Sequence, residues 1–269
     1  MEQSLWYYVD GEDKNPSEHF QKVYQLPSNF RAIYQSTGPA GEYSELSLNL
    51  YSGCSHGCLY CYNRDRFNGP CDKLLKKASL ENIQHDLMAL SHAGDKRPVH
   101  LTFVGDAYDG GRENNSYTRR VLELFRRYNH PFQVLTKGGL RAIQDFDLYG
   151  PDDRFGVTLT FLDPAKSKEW EPGAALPEER LSSLKVAKER GLKTWVSCEP
   201  VIIPAETLAV IEAAAPHTDF FWVGKWNHNV RANAIDWSKF KRDVTALLER
   251  VRKPYGIKEG LKKAAEYST

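Results

Sequence analysis

The sequence predicts an α/β fold, an open partial (β/α)6 barrel of the TIM type. Two features predict it. Six short apolar runs alternate strictly with six helical patterns, as a parallel sheet covered by helices requires. Each run is also followed by a stretch that is mostly polar or carries glycine or cysteine. Barrels of this type keep their working residues there, at the C-terminal ends of strands. Six units fall short of the eight that close a barrel, so the sheet is expected to stay open.

The apolar runs are Leu46–Leu50, Val99–Val104, Phe132–Leu135, Phe155–Leu159, Lys193–Ser197 and Phe220–Val223. The helical patterns that follow them are Leu80–His92, Ser116–Arg127, Gly139–Phe146, Pro177–Arg190, Ala205–Ala214 and Trp237–Arg252. Right-handed crossovers add successive strands in one direction. The stretches past the strands read SGCSHGCLYCYN, GDAYDGG, TKGG, TLTFLD, SCEP and GKWN. Residues 1–40 are expected as an irregular segment that covers an open sheet edge. Residues 41–255 form the expected core domain and 256–269 a tail.

With 269 residues the chain is long enough to bury a core without staples. The net charge of +1 argues against a protein that grips nucleic-acid backbone along its whole surface. The local basic groups Lys73, Lys76, Lys77, Arg119, Arg120, Arg126 and Arg127 read as solvated helix faces. The polar N-terminus lacks the apolar stretch of a signal peptide, and no run approaches the ~20 apolar residues that span a bilayer. A cytoplasmic protein is expected, with reduced thiols and no membrane partner. Its five cysteines then suit metal or cluster ligation better than disulfides. No heptad repeat or apolar helix face points to an oligomer, so a monomer is expected.

The strongest local signal is Cys54-x3-Cys58-x2-Cys61. Three thiolates on one short loop can hold three irons of a [4Fe–4S] cluster, whereas clusters that only carry electrons take four cysteines. The open iron can chelate the amino and carboxylate groups of S-adenosylmethionine (SAM), whose reductive cleavage gives a 5′-deoxyadenosyl radical. The competing reading is zinc, with His56, Cys71 or Cys198 as fourth ligand. Gly53 and Gly57 suit a loop that wraps tightly. Tyr60 suits a lid over adenine, or core packing.

LNLYSGCSHGCLYCYNR resembles the cluster loop of the radical SAM superfamily, and more narrowly that of the spore photoproduct lyase-like group. The likeness extends over roughly residues 30–230, through GDAYDGGRENNSYTRRVLELF, VLTKGGLRAIQDFDLY, the Glu-Pro-Gly turn after the fourth strand, and SCEPVIIP. It implies a partial barrel of the radical SAM type and an enzyme of lyase or oxidoreductase class. It also implies an electron donor, either a reductase or a ferredoxin or flavodoxin.

By the same resemblance Cys54, Cys58 and Cys61 ligate the cluster. Gly105 and Asp106 hold the SAM amino group, and Lys137 meets the SAM carboxylate. A lysine at a helix start, against the dipole, is the alternative for Lys137. Thr158, Glu199, Lys225 and Asn227 are candidates for ribose or substrate contact, set against local capping. Cys198 is a candidate hydrogen-atom donor, set against a small buried strand residue. Spore photoproduct lyase carries its donor cysteine just before the acid of the second strand end, where this chain has Val104. The substrate is left open, a nucleobase, nucleoside or nucleic acid being an analogy only. A nucleic-acid lesion lyase is the narrower alternative, and a non-enzymatic zinc- or cluster-stabilised binding module the broader one.

Overall fold

The computed structural model describes residues 29–63, 75–76, 78–109, 116–227 and 229–267. Cys71, Lys73 and Lys77 lie outside them. The strands are β1 (Ile33–Gln35), β2 (Leu46–Leu48), β3 (Tyr51–Ser52), β4 (Leu75–Lys76), β5 (Val99–Leu101), β6 (Phe132–Thr136), β7 (Arg154–Thr158), β8 (Lys193–Val201), β9 (Phe220–Lys225) and β10 (Tyr255–Ile257). The helices are α1 (Leu80–Ala93), α2 (Ser116–Arg127), α3 (Pro164–Trp170), α4 (Pro177–Glu189), α5 (Pro204–Ala214), α6 (Trp237–Arg250) and α7 (Glu259–Glu266).

One sheet runs β1-β2-β5-β6-β7-β8-β9-β10. All its pairs are parallel except β1 with β2. It does not close, because β1 and β10 are edges. The six expected strands are its centre. Two short strands extend it on either side. On one side β1 is anchored by Asp86, whose carboxylate accepts the backbone N–H groups of Arg31, Ala32 and Ile33 at 2.7–3.0 Å. On the other, β10 and α7 occupy the segment expected as a tail. Both strands have three residues, too few to show a periodicity in sequence; pairing makes them strands.

Gly139–Phe146, expected as helical, lies in a 3₁₀ segment that runs over Gly139–Leu148. It starts on Gly139 at φ +59° with no side-chain cap. The starts of α1 and α6 are capped: Ser79 accepts from Asn82 N at 3.1 Å and Asp236 from Lys239 N at 2.8 Å.

Alternation along the strands separates two faces. Val99, Leu101, Val134, Phe155, Val157, Val196, Phe221 and Val223 are buried in the core cluster that also takes in the helices. Each contributes roughly 1.5–3 kcal/mol by burial. The other face lines the concave lumen, and Tyr43 identifies it. The Tyr43 ring lies 6.1 Å from His100 of β5, 5.6 Å from Trp195 of β8 and 5.8 Å from Trp222 of β9. Its carbonyl accepts from Gln133 of β6 at 2.8 Å. Only a residue inside the curve of the sheet can touch three strands with its ring and a fourth with its carbonyl.

Candidate active site

The cysteine loop follows β2 and is clamped from two sides. Gly53 pairs with Gly105 past the end of β5, and Gly53 N donates to Val104 O at 3.0 Å. A Cβ at Gly105 would lie 2.7 Å from Gly53 O, so this approach demands glycine. On the other side, Leu59 N donates to Trp170 O at 2.8 Å and Gly173 N to His56 O at 2.8 Å. A Cβ at Gly173 would sit 2.3 Å from Ser55 O. Ser55 N and Oγ donate to Asp109 at 2.6 and 2.5 Å. Within the loop, Cys61 N donates to Cys58 O at 3.2 Å. Cys58 is buried, and Cys54 and Cys61 are partly exposed.

Charged groups surround these thiols. Burial, Asp106 and Asp109 push the Cys54 thiol up, and burial pushes Cys58 up to about 11. Burial works to lower the Lys137 ammonium, but negative charge from Cys58, Glu171 and Asp106 holds it above its ordinary value. Among the described residues no carboxylate pairs with that ammonium. Glu171 is fully buried and paired with Arg180, also fully buried, at 2.6 Å. Tyr60 donates its hydroxyl to Glu171, and Arg180 donates to the carbonyls of Ala175 (2.8 Å) and Thr158 (3.1 Å). Burial opposes ionisation of Glu171, but Arg180 and Lys137 hold its carboxyl below the usual range.

A second polar group sits at the ends of β8 and β9. Glu199 accepts from Tyr43 Oη at 2.6 Å, Lys258 Nζ at 2.9 Å and Asn227 Nδ2 at 3.4 Å. Lys258 also donates to Pro39 O at 3.0 Å, and its ammonium lies 3.9 Å from the Tyr43 ring centre. Lys225 Nζ lies 6.0 Å from the ring centre of Trp237.

These parallel strands all deliver their C-terminal ends to one mouth. Cys54, Cys58, Cys61, Tyr60, Gly105, Asp106 and Lys137 gather on the β2–β6 side, and Glu199, Lys225 and Asn227 on the β8–β9 side. Two of the expected residues have surroundings that the sequence did not indicate. Asp106, 4% exposed, spends its carboxylate on Tyr108 N (2.8 Å), Thr136 Oγ1 (2.5 Å) and Lys137 N (2.8 Å), so it braces the ends of β5 and β6. Cys198, 1% exposed, belongs to the helix-facing core. Its neighbour Glu199 and Ser197, which bonds Tyr43 at 2.8 Å, take the lumen face, and strand alternation turns the thiol away.

A family model described as the radical SAM superfamily matches residues 48–215. The chain belongs to the radical SAM superfamily. Enzymes of that superfamily use a [4Fe–4S] cluster and SAM. The chain is 26% identical over 179 residues to an uncharacterised protein of Methanocaldococcus jannaschii, covering 65% of this chain and 68% of that one. It is 25% identical over 170 residues to an uncharacterised protein of Mycobacterium tuberculosis, covering 58% of this chain but only 49% of that relative. Its fold is similar to spore photoproduct lyase with bound AdoMet and dinucleoside spore photoproduct. The TM-score is 0.67, with 12% identity over 87% of this chain and 80% of that one. It is also similar to SuiB of Streptococcus suis bound to SAM, with TM-score 0.62 and 12% identity over 81% and 52% of the two chains. Among the described residues no helix is long and apolar enough to cross a membrane.

The site of this radical SAM chain fits the superfamily's cofactors. The donor set is three thiols on one loop. Beside them lie an imidazole, His56, that is 1% exposed with neither ring nitrogen hydrogen-bonded, and the half-buried Lys137 ammonium, with which no carboxylate pairs among the described residues. Buried polar groups rarely go without partners unless a group belongs there. Sequence reasoning had passed over Glu171, Arg180 and Asp109, although the first lies in the Glu-Pro-Gly turn and the last in GDAYDGG. Tyr43 and Lys258 carried no signal, falling beside a glycine turn and in the expected tail.

Proposed function

We propose that this chain cleaves SAM reductively, with Cys54, Cys58 and Cys61 holding the cluster, and directs the resulting radical at a substrate in the lumen. The observation that carries the reading is the three-thiol loop set against the Lys137 ammonium. When bound, the cofactor pair supplies a 5′-deoxyadenosyl radical able to abstract hydrogen. The residues do the rest. Lys137 takes the SAM carboxylate in a charge-assisted hydrogen bond, its backbone fixed by Asp106. The strand end at Gly105 offers backbone acceptors to the amino group. Tyr60 covers the adenine, its hydroxyl tethered by Glu171, which Arg180 holds ionised. Thr158 lies beside this group for the ribose. Phe161, Trp170 and Trp226 wall the site from water, the two indoles meeting edge-on at 5.5 Å. Glu199 and Asn227 line the substrate side, whereas Lys225 shares the face of Phe221 and Val223 and carries its ammonium toward Trp237. A ferredoxin, flavodoxin or reductase supplies the electron.

A lesion lyase like the structural neighbour is disfavoured by Val104, which has no hydrogen to donate as a thiol does, and by the burial of Cys198 in the core. A mononuclear zinc site has one observation in its favour: Cys54, His56 and Asp109 offer ligand atoms within 4.8 Å of one another. It leaves Cys58 and Cys61 unused. Anaerobic reconstitution with iron and sulfide, reduction, and SAM addition separate the readings. A reduced-cluster EPR signal that changes with SAM, together with release of 5′-deoxyadenosine, is expected, and Cys58→Ala abolishes both. Zinc uptake in place of a cluster, or a cluster indifferent to SAM, would overturn the reading.

A further inference from the structure

His56 sits between Cys54 and Cys58 yet lies outside the roles assigned above. Its ring is 1% exposed and both nitrogens lack a hydrogen-bond partner among the described residues. Nδ1 is 3.6 Å from Asp106 Oδ2, beyond hydrogen-bonding range. A ring nitrogen lies within 4.8 Å of the Cys54 sulfur, close enough for a small turn of the ring to bring the two into contact. The two carboxylates nearby are already engaged. Asp109 accepts from Ser55 N and Oγ, and Asp106 from Tyr108, Thr136 and Lys137. An Asp109 oxygen and the sulfur at the Cys54 corner both lie within 4.8 Å of a ring nitrogen, and Asp109 already accepts twice from Ser55, so the sulfur is the nearby acceptor without a side-chain donor among the described residues.

We propose that His56 donates a ring N–H to the sulfur of the Cys54 corner and so raises the reduction potential of the cluster. This rests on the cluster reading above. The physical basis is that hydrogen bonds to cluster sulfurs, local charge and solvent exposure set the potential of such centres. A donor at sulfur stabilises the more negative, reduced state. Here it offsets Asp106 and Asp109, two buried carboxylates whose charge opposes reduction at the same corner. His56 is therefore a positioning and tuning residue, neither an iron ligand nor a proton donor to substrate.

Two measurements on the reconstituted full chain test this, both without SAM. The first is the midpoint potential by EPR-monitored titration. His56→Leu, which keeps volume and removes the donor, is expected to lower the potential by at least a tenfold change in the reduction equilibrium, about 59 mV for a one-electron couple. His56→Gln or His56→Asn, one of which places an amide N–H near the lost donor, is expected to recover most of it. An unchanged potential in a fully loaded His56→Leu chain overturns the proposal. The second is pulsed EPR of the unmutated, reduced protein labelled with ¹⁵N-histidine, which decides the matter even if His56→Leu loads no cluster. A weak nitrogen coupling absent from His56→Gln is expected. No coupling, or the strong coupling of a directly bound nitrogen, overturns the proposal while leaving the cluster reading intact. An unmutated chain that takes up no cluster removes both.

Discussion

The lumen holds two buried ion pairs, and they are finished to different degrees. Glu199–Lys258, at the ends of β8 to β10, is complete. Lys258 has Glu199, the Pro39 carbonyl and the Tyr43 ring, and Glu199 has Tyr43 and Asn227 as well. Glu171–Arg180 is just as well paired, but its neighbours His56 and Lys137 are not. The more deeply buried pair is the one beside the thiols, with both side chains at 0% exposure against 3% for Lys258 and 17% for Glu199, so burial alone does not mark a scaffold. Partners are missing on both sides, at His100 Nε2 and Trp195 Nε1 on one and at His56 on the other, and what distinguishes the second side is that His56 and the Lys137 ammonium lie beside the three thiols.

The first way to break this comparison is to remove one member of each pair. Arg180 and Glu171 side chains are fully buried, and Arg180→Met strands a carboxylate with only hydroxyl donors, Tyr60 and Ser167. A loss of about 3–5 kcal/mol in urea unfolding is expected, with Glu171→Gln costing a similar amount. Lys258→Met acts on a pair whose Glu199 side chain keeps 17% exposure and two other donors. Its expected cost is about 1.5–3 kcal/mol, the range for one hydrogen bond to a charged group. Equal costs would mean that residual water at Glu199 does not relieve the pair.

The unfinished side can be probed through Lys137. Lys137→Gln keeps the backbone link to Asp106 and removes the charge. If the ammonium is reserved for an anion, unfolding stability changes little while SAM affinity falls roughly 10- to 100-fold, the worth of one charge-assisted contact. The SAM concentration needed to perturb the reduced-cluster EPR signal measures this. A large loss of stability with unchanged affinity would make Lys137 scaffold, like Lys258.

The sequence carried the barrel well because its central strands are apolar runs bounded by turn-formers, and because helix periodicity survives in α1, α2 and α6. It carried the cysteine loop through spacing alone. It failed where a residue's meaning depends on a distant partner. Glu171 is an ordinary acid until Arg180, nine positions on, is folded onto it. Lys258 meets Glu199 across 59 positions, and Tyr43 meets it across 156. Cys198 was left ambiguous because a strand-end position does not reveal which face the side chain takes; its neighbours' contacts with Tyr43 do.

The finished side also makes a pH prediction. His100 lies in the lumen against Phe103, with ring centres 4.0 Å apart, and its Nδ1 is 3.1 Å from Gln133 Nε2. Gln133 Nε2 is a donor, so Nδ1 accepts and the neutral ring carries its proton on Nε2. Burial, then the charge of Lys258, pushes its pKa from 6.5 down to about 3. The unfolded chain therefore binds a proton near pH 6.5 that the folded chain refuses until about pH 3. Between those values the unfolded state holds more protons, so stability rises with pH, is complete above the unfolded value and is lost as the solution is acidified. His100 alone contributes a slope of about 1.4 kcal/mol per pH unit. Asp153, raised to about 6 by burial, works in the opposite direction between its ordinary value and 6, and masks part of the slope in the unmutated protein. His100→Gln removes one proton from the linkage without touching Asp153. Urea unfolding from pH 6.5 down to 5 should then show the variant losing stability less steeply than the native chain, by close to one proton. Parallel slopes would mean that His100 already takes up its proton in the folded lumen, which would make this side less complete than its hydrogen bonds imply.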